Sequence, residues 1–435
     1  MPGTCWMPTA AALMALTTGA AAAGGGGVHE QLQQMAAASP QPDSAPPGVH
    51  DPSARYLFYD ILEHEQLNKQ RKGMMYAYTV AQSLGRQLVL HRLRVRKIEG
   101  QPQGPRPVYT HEFYPWRQFF NMSYMQGGVP VHEADQLLHA LVSGAPGSDG
   151  AEFGFAFDTV LYANKLLEGV DRQNPRMEDS ACPSPGQSGT SPFQWSKYDN
   201  SDAPWVGQLY DIAGLRARTV RCVDIFGSLL NALKPYESQT SIVLLNVHFQ
   251  LGFAYGENSR NTNRLYWGVR DHLVFKRSLW SRAQRFVDDT FGAEPKFLAV
   301  HWRRGDFVFS RKKDVVKGPA DAAPRIKSLM KEHGLTHVFL ATGPDTTSAD
   351  LLGLESALGL GEGVVIRYTP PKNKRTGKPT KMSPPTLAII DQMLCVLGDV
   401  FLGTKTSLFS ATIMEEREML GQPYASTANL FGDGK

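Results

Sequence analysis

The sequence predicts an α/β fold in which two Rossmann-like halves face each other across a cleft. The first reason is the alternation of short apolar runs, rich in aromatic and β-branched residues, with segments of helical period. Residues 56–59 and 87–90 predict strands, and between them Met74, Ala77 and Ala81 fall at helical spacing. A strand–helix–strand unit of this kind implies parallel strands.

The second reason is that the same alternation returns after residue 295. Helices are predicted around Ile326, over residues 387–397 and over residues 409–419. Strands are predicted at 297–300, 337–341, 364–368 and 400–403. Ligands of open parallel sheets bind outside the carboxyl ends of the strands, so functional residues are expected in the loops that follow them.

The 435 residues suffice for two domains of roughly 150–200 residues each. We expect these domains at 55–250 and 251–435, with a loop-rich stretch at 142–205. The Ala- and Leu-rich start of residues 1–27 predicts a cleaved signal peptide, with a low-complexity amino terminus as the alternative. Residues 28–54, rich in Gln, Ala and Pro, predict a poorly ordered leader.

Composition excludes two broad classes. The net charge of +4 is too small for a dedicated nucleic-acid binder, although it suits a diphosphate pocket. No apolar stretch is long enough to predict a membrane span. Cys182 lies in a Pro/Gly/Ser-rich segment and Cys222 in a Val/Ile-rich one, and a disulfide between them fits an oxidising lumen, whereas Cys395 is expected to be a buried thiol.

The first candidate loop is polar and runs over residues 60–71. A carboxylate at a strand end can act as a general base if partial desolvation raises its pKa. Glu65 is the candidate, Asp60 and Glu63 compete with it, and the alternative is that all three are solvated loop acids.

The second loop, residues 301–307, follows the strand at 297–300. Arg303 can hold two phosphate oxygens with its planar fork, and strand alternation places His301 on the same face. Trp302 and Arg304 fall on the other face, and we expect Arg304 and Asp306 to form a structural ion pair.

The third loop, residues 404–407, precedes a predicted helix. Ser407 either caps that helix or binds a phosphate at its positive end. One helix upstream, Asp391 lies within an apolar run, where a carboxylate needs a partner. The two adjacent N–H donors of a guanine ring would serve, and so would a buried donor of the protein.

No constellation of metal ligands is visible, since there is no Asp-x-Asp after a strand and the histidines are scattered. We therefore expect metal-independent chemistry in which arginine and a helix amino terminus supply the positive charge. The five cations of residues 372–381 indicate a solvated insertion, with an acidic partner as the alternative.

Several of these segments together resemble one family. They are residues 297–307 (FLAVHWRRGDF), 388–392 (AIIDQ), 401–404 (FLGT), 415–421 (EEREMLG) and 114–120 (YPWRQFF). The chain resembles the protein O-fucosyltransferases, in particular those that modify thrombospondin type 1 repeats. The resemblance implies a GT-B glycosyltransferase fold, an endoplasmic-reticulum location and inverting transfer from GDP-β-L-fucose to Ser or Thr of a folded, disulfide-rich repeat. It also implies an acceptor-side first domain and a GDP-fucose-binding second domain. We expect the chain to be a monomer.

The resemblance also assigns residues. Glu65 matches the catalytic base, Arg303 a donor-binding residue that we count as catalytic, and Glu416 a carboxylate that the family needs for activity. The Cys182–Cys222 pairing resembles a family disulfide. The expected donor-binding set comprises His64, Gln66, Leu67, Asn68, His301, Trp302, Asp391, Ser407 and Leu408.

The chain departs from the family at three places. Gln66-Leu67 replaces Gly-Phe after the base, Leu408 replaces a second hydroxyl, and a carboxyl-terminal cysteine pair is absent. These departures keep two alternatives open. The same donor chemistry could act on another acceptor, such as an epidermal-growth-factor-like repeat or a glycan, or the chain could be a weakly active, chaperone-like protein of the lumen.

Overall fold

The computed structural model describes residues 53–60, 66–98, 109–143, 156–167, 174–182, 194–197, 205–209, 212–245, 264–292, 295–304, 307–308, 317–343 and 346–431. The expected signal peptide at 1–27 and almost all of the leader at 28–54 lie outside these residues. So does the expected domain boundary at 250/251, which stays a prediction.

The amino-terminal half is built on a nine-stranded sheet with the order β5-β2-β1-β11-β6-β10-β9-β8, where β7 pairs with β10. Its first six members are parallel neighbours, and β7, β8 and β9 are added antiparallel. The strands are β1 Tyr56–Tyr59, β2 Gln87–Leu90, β5 Val131–Glu133, β6 Ala156–Leu167, β7 Arg176–Asp179, β8 Gln194–Lys197, β9 Trp205–Leu209, β10 Ile212–Phe226 and β11 Ser241–Leu245. A separate antiparallel hairpin joins β3 Leu93–Ile98 and β4 Tyr109–Tyr114.

The predicted first strand–helix–strand unit is confirmed. All four residues of β1 are buried, as expected for a strand covered on both faces. Helix α1, Leu67–Ser83, buries Met74, Ala77 and Ala81, the residues at helical spacing. Gly85 follows it with a φ of +59°, a conformation that glycine adopts without strain.

The carboxyl-terminal half is built on an all-parallel sheet with the order β14-β13-β12-β15-β16. Its strands are β12 Phe297–His301, β13 His337–Ala341, β14 Val365–Ile366, β15 Val400–Thr404 and β16 Asn429–Phe431. The core on one side of this sheet includes Leu298, Val300 and Trp302, packed against the buried face of the helix around Ile326.

The remaining helices cover these sheets and connect their strands. They are α2 Met122–Met125, α3 Ala134–Ser143, α4 Leu229–Leu233, α5 Arg264–Arg270, α6 Arg277–Phe291, α7 Pro319–His333, α8 Ser348–Leu358, α9 Pro384–Leu397, α10 Leu408–Met419 and α11 Tyr424–Thr427. Short 3-10 helices occur at Trp116–Gln118 and Lys234–Tyr236.

The predicted bounds of three segments were wrong. The stretch 142–205, which was expected to be rich in loops, holds the twelve-residue strand β6. Asp158 and Asn164 break the apolar pattern of this strand, but both side chains have hydrogen-bond partners elsewhere in the chain. Asp158 accepts from the backbone N–H of Ser241, and Asn164 donates to the carbonyl of Ala181. The polar loop at 60–71 ends earlier than expected, since α1 begins at Leu67. The strand predicted at 364–368 covers only β14.

The cysteine predictions are confirmed. Cys182 and Cys222 form a disulfide, with a Cα–Cα distance of 5.1 Å, and Cys395 is a buried free thiol. Among the described residues, no helix is long and apolar enough to cross a membrane.

Candidate active site

The carboxyl end of β12 carries His301, which is 2% exposed. Its ring stacks on Phe409 with 4.4 Å between ring centroids, and its Nδ1 lies 2.7 Å from Oγ of Ser410. Burial, with a smaller contribution from the Arg303 charge, lowers the pKa of His301 to about 3. The imidazole is therefore neutral at physiological pH and can take part only as a neutral hydrogen-bonding group.

Arg303 leaves the same strand end, as expected. Its backbone N–H donates to Oγ1 of Thr404 at 2.9 Å, and its guanidinium lies 5.6 Å from the ring centroid of Phe307. The side chain is half-buried at the edge where β12 and β15 end. The carboxyl ends of two adjacent parallel strands thus bring Arg303 beside the loop at 404–407.

Trp302 and Arg304 point elsewhere. Trp302 is buried among apolar side chains, and its indole N–H donates to the carbonyl of Lys317 at 3.0 Å. The side chain of Trp302 is packed in the core between the sheet and the helix around Ile326. This position gives no support to the contact with GDP-fucose that was expected of Trp302. Arg304 does form an ion pair, but with Asp350 at 2.8 Å. The expected partner, Asp306, lies outside the described residues.

The loop after β15 is strained. Thr406 has a φ of +64°, which a β-branched residue adopts only at a cost. Ser407 stands at the N-cap position of α10 but makes no side-chain capping bond, so capping does not occupy its hydroxyl. Ser407 is buried and Leu408 half-buried, and the amide groups of the first turn of α10 follow directly.

Asp391 lies partly buried on α9 and makes no ion pair or hydrogen bond with another described residue. Burial raises the pKa of Asp391 to about 7, against the opposing influence of Arg367. A carboxylate in this situation lacks a partner within the described chain, so a ligand N–H pair would stabilise its ionised form.

Helix α1 brings Asn68 to the same region from the other half. Its Oδ1 accepts from Nε2 of Gln392 at 2.9 Å and from Oγ1 of Thr412 at 3.3 Å. Leu67 is buried beside it and Gln66 is exposed. His64 and Glu65, the expected base, lie outside the described residues, as does the competing Glu63. Asp60, the other competitor, is buried and paired with Arg94 at 2.8 Å.

Glu416 is buried in a cluster of four charges that we call the ionic cluster: Arg71, Arg270, Glu415 and Glu416. Nη2 of Arg71 lies 3.3 Å from Oε1 of Glu416, which also pairs with Nη2 of Arg270. Glu415 accepts from Arg71 at 3.2 Å and from the hydroxyl of Tyr266 at 2.6 Å. Glu416 therefore touches protein cations and links α10 to α1 and α5. The catalytic role expected of it stays a prediction.

Sequence reasoning missed Arg71, Arg270, Glu415 and Tyr266. One signal was present for Arg71, which lies three residues before Met74 on the buried stripe of α1. A charged residue on an apolar stripe needs a buried partner, and that requirement would have singled it out. Among the described residues, no three His, Cys, Asp or Glu side chains are grouped as a metal site would need.

Two Rossmann-like sheets, with the candidate residues at the carboxyl ends of their strands, define a glycosyltransferase of the GT-B class. A crystal structure of POFUT1 in complex with GDP has the same fold, with a TM-score of 0.54 and 16% identity, covering 88% of this chain and 99% of that one.

The family follows from the sequence match. The model of the family GDP-fucose protein O-fucosyltransferase matches residues 56–420, so the chain belongs to that family. It is 27% identical over 343 residues to GDP-fucose protein O-fucosyltransferase 2 of Caenorhabditis elegans, covering 72% of each chain. The Drosophila melanogaster protein of the same name is 26% identical over 438 residues, covering 90% of this chain and 82% of the relative. The Homo sapiens one is 26% identical over 347 residues, covering 73% and 72%.

Proposed function

We propose that the chain transfers fucose from GDP-β-L-fucose to a Ser or Thr hydroxyl of a folded thrombospondin type 1-like repeat. The observation that carries this proposal is the convergence of His301, Arg303 and the start of α10 at one sheet edge, which Asn68 approaches from the other half through its contact with Thr412. The names of the family and of the relatives support the choice of donor and of a protein acceptor.

In this proposal the nucleotide lies along the carboxyl-terminal sheet. Asp391 accepts the two guanine N–H groups, while Arg303 and the amide groups at Ser407 and Leu408 bind the pyrophosphate. As the bond between the fucose anomeric carbon and the β-phosphate oxygen breaks, negative charge grows on that phosphate. A rigid guanidinium and a helix amino terminus stabilise this charge without a metal ion.

The acceptor hydroxyl attacks the anomeric carbon from the opposite face, which inverts its configuration. Its proton passes to Glu65, and GDP leaves with the electrons of the broken bond. The amino-terminal domain, residues 55–250, presents this base and the acceptor side, and residues 251–435 bind the donor. His64, Gln66 and Leu67 complete the donor site around Asn68.

The Cys182–Cys222 disulfide supports a place in an oxidising compartment, which we propose to be the endoplasmic-reticulum lumen, where the chain acts as a monomer. The experiment is transfer of radiolabelled fucose by the pure protein to folded thrombospondin-type and epidermal-growth-factor-like repeats, with and without EDTA. We expect EDTA-resistant transfer to the first acceptor.

Transfer to the second acceptor alone would replace the acceptor in the proposal. Binding of GDP-fucose without transfer to any repeat would favour a chaperone-like binding protein. Loss of transfer in EDTA, restored by a divalent ion, would contradict the metal-independent mechanism.

A further inference from the structure

Two buried hydroxyl groups are hydrogen-bonded to His301 and Arg303. One belongs to Thr404, the last residue of β15, and the other to Ser410 in the first turn of α10. Thr404 is 2% exposed and Ser410 is 1% exposed. The sequence analysis gave neither residue a role, although Thr404 opens its third candidate loop. Both make hydrogen bonds of 2.7 to 2.9 Å around the strand end that carries His301 and Arg303.

The hydrogen bonds of Ser410 define the protonation of His301. The backbone N–H of Thr404 donates to Oγ of Ser410 at 2.9 Å, which makes this oxygen an acceptor. Among the described residues, the hydroxyl proton of Ser410 has no acceptor other than Nδ1 of His301, which lies 2.7 Å from Oγ. Nδ1 is therefore the acceptor of that proton, and the neutral ring carries its own hydrogen on Nε2.

The Nε2–H group is then a fixed donor. The low pKa of His301, about 3, keeps the ring neutral, and the stacked ring of Phe409 restricts its rotation. Within the described part of the chain, no residue accepts a hydrogen bond from Nε2. An N–H group that is fixed in direction and has no protein acceptor suits an anionic ligand oxygen, such as one of a diphosphate.

Thr404 fixes the backbone instead of the ring. Its Oγ1 accepts from the N–H of Arg303 at 2.9 Å and donates to the carbonyl of His301 at 2.8 Å. One hydroxyl thus bridges the chain on both sides of Trp302, immediately after the end of β12. This bridge fixes the backbone from which the Arg303 side chain extends.

We propose that Ser410 and Thr404 are positioning residues for the donor diphosphate: Ser410 sets the Nε2–H tautomer of His301, and Thr404 holds the backbone from which Arg303 extends. This inference rests on the proposed function, because the ligand at His301 and Arg303 is the pyrophosphate of the donor. Neither residue is expected to touch the donor itself.

The first test uses Ser410→Ala, with Ser241→Ala as the matched control. Ser241 is likewise 1% exposed, and its hydroxyl likewise accepts a backbone N–H, from Asp158 at 2.9 Å, but it lies at the opposite end of the strands in the other sheet. We expect Ser410→Ala to lower kcat/KM for GDP-fucose about tenfold, the loss of one well-placed hydrogen bond in the transition state. Ser241→Ala should leave kcat/KM within about twofold, at a similar Tm.

The second readout is the tautomer, measured in the unliganded protein by nitrogen NMR of imidazole-labelled histidines. His301 is the signal missing from His301→Gln. In the wild type we expect an unprotonated Nδ1 and a protonated Nε2, and in Ser410→Ala a rise in protonated Nδ1. A protonated Nδ1 in the wild type would overturn the assignment, and so would unchanged turnover of a variant whose tautomer had changed.

The third comparison keeps the inference testable if Ser410→Ala fails to fold. Thr404→Val removes the bridging hydroxyl at constant shape, whereas Thr404→Ser retains it. We expect Thr404→Val to lose about tenfold in kcat/KM and Thr404→Ser to stay within about threefold. Equal loss in both would refute the role of the hydroxyl. If the wild type transferred no fucose at all, the proposed function would fail, while the NMR measurement would still decide the tautomer.

Discussion

Asn68 and Gln392 join the two halves of the molecule, because Oδ1 of Asn68 at the start of α1 accepts a hydrogen bond of 2.9 Å from Nε2 of Gln392 on α9. Thr412 supports the orientation of this amide. Its hydroxyl oxygen lies 3.3 Å from Nη1 of Arg71, which can only donate, so its proton is available for Oδ1 of Asn68. The NH2 group of Asn68 is thereby directed away from both partners.

The first prediction tests that orientation with Asn68→Asp. The aspartate keeps the oxygen that faces Gln392 and Thr412 but replaces the NH2 donor by negative charge. We expect GDP to bind about tenfold more weakly, measured by calorimetry, because the new charge repels the diphosphate. Asn121→Asp is the control, since Asp caps a helix as well as Asn does. Equal GDP affinity in wild type and Asn68→Asp would contradict the orientation.

The second prediction concerns the ionic cluster. Arg270→Leu leaves Glu416 with less compensation in a buried site and should lower the free energy of unfolding by about 3–5 kcal/mol in urea denaturation. Adding Glu416→Leu should recover part of that loss. The exposed pair Arg176–Glu178 provides the comparison, and Arg176→Ala should cost under about 1 kcal/mol. A loss in Arg270→Leu no larger than that would show that the cluster contributes little.

The third prediction concerns pH. The pKa of Asp391 is about 7 in the folded protein and near 3.8 when unfolded, so the fold binds this proton more tightly. Stability is therefore lost as pH rises from about 4 to 7, and the cost is complete above 7. Asp391→Asn should match the wild type near pH 4 and exceed its free energy of unfolding by about 2–4 kcal/mol at pH 8.

The same titration predicts the opposite trend for the ligand. The ionised Asp391 accepts the guanine N–H groups, so GDP affinity should rise as pH increases from 6 to 8 in the wild type and stay flat and low in Asp391→Asn. A wild-type affinity independent of pH, with tight binding by Asp391→Asn, would remove Asp391 from the nucleotide site.

The fourth prediction is that Arg303→Lys lowers kcat about 100-fold, a loss on the scale of a missing transition-state donor. A single ammonium cannot reproduce the two parallel N–H groups of the guanidinium. Single-turnover transfer at saturating GDP-fucose is the measurement. The control is Arg325→Lys on α7, where the arginine donates to Asn429 at the amino end of β16. A near-normal rate in Arg303→Lys would assign the leaving-group charge to another residue.

The fifth prediction follows from the backbone of Thr406. The left-handed conformation costs a β-branched residue about 1–3 kcal/mol, whereas the added chain entropy of glycine costs about 0.5–1 kcal/mol. The strain outweighs the entropy, so Thr406→Gly should raise Tm by a few degrees. Thr406→Val, which keeps the branched side chain, should not. A lower Tm in Thr406→Gly would mean that the threonine side chain stabilises the loop.

Much of the fold could be predicted because its central strands are buried on both faces. Residues 56–59, 297–300 and 400–403 are continuous apolar runs, and such runs predict parallel strands without any knowledge of their neighbours. Strand β6 could not be found in this way. Its Asp158 and Asn164 look like loop residues until their partners, which lie 83 and 17 positions further along the chain, are known.

The residues of the candidate site can be separated in the same way, into those that the local sequence predicts and those that depend on distant partners. His301, Arg303 and Ser407 follow strands, so their placement at one edge could be predicted from the order of the elements. Among the residues that act through partners in the other half, Thr412 gave no local pattern, and Arg71 gave only its position on the buried stripe of α1. Their roles come from pairings across 341 or more positions, which only the folded chain brings together.

The ionic cluster has a consequence for the relative movement of α1 and α10. Arg71 on α1 is held to Glu415 and Glu416 on α10 by contacts of 3.2 and 3.3 Å. A movement of α1 away from α10 would separate these charges, and each would then need water or another partner in place of its present one. The ionic cluster is therefore an electrostatic link that any change in the relative position of these two helices has to break.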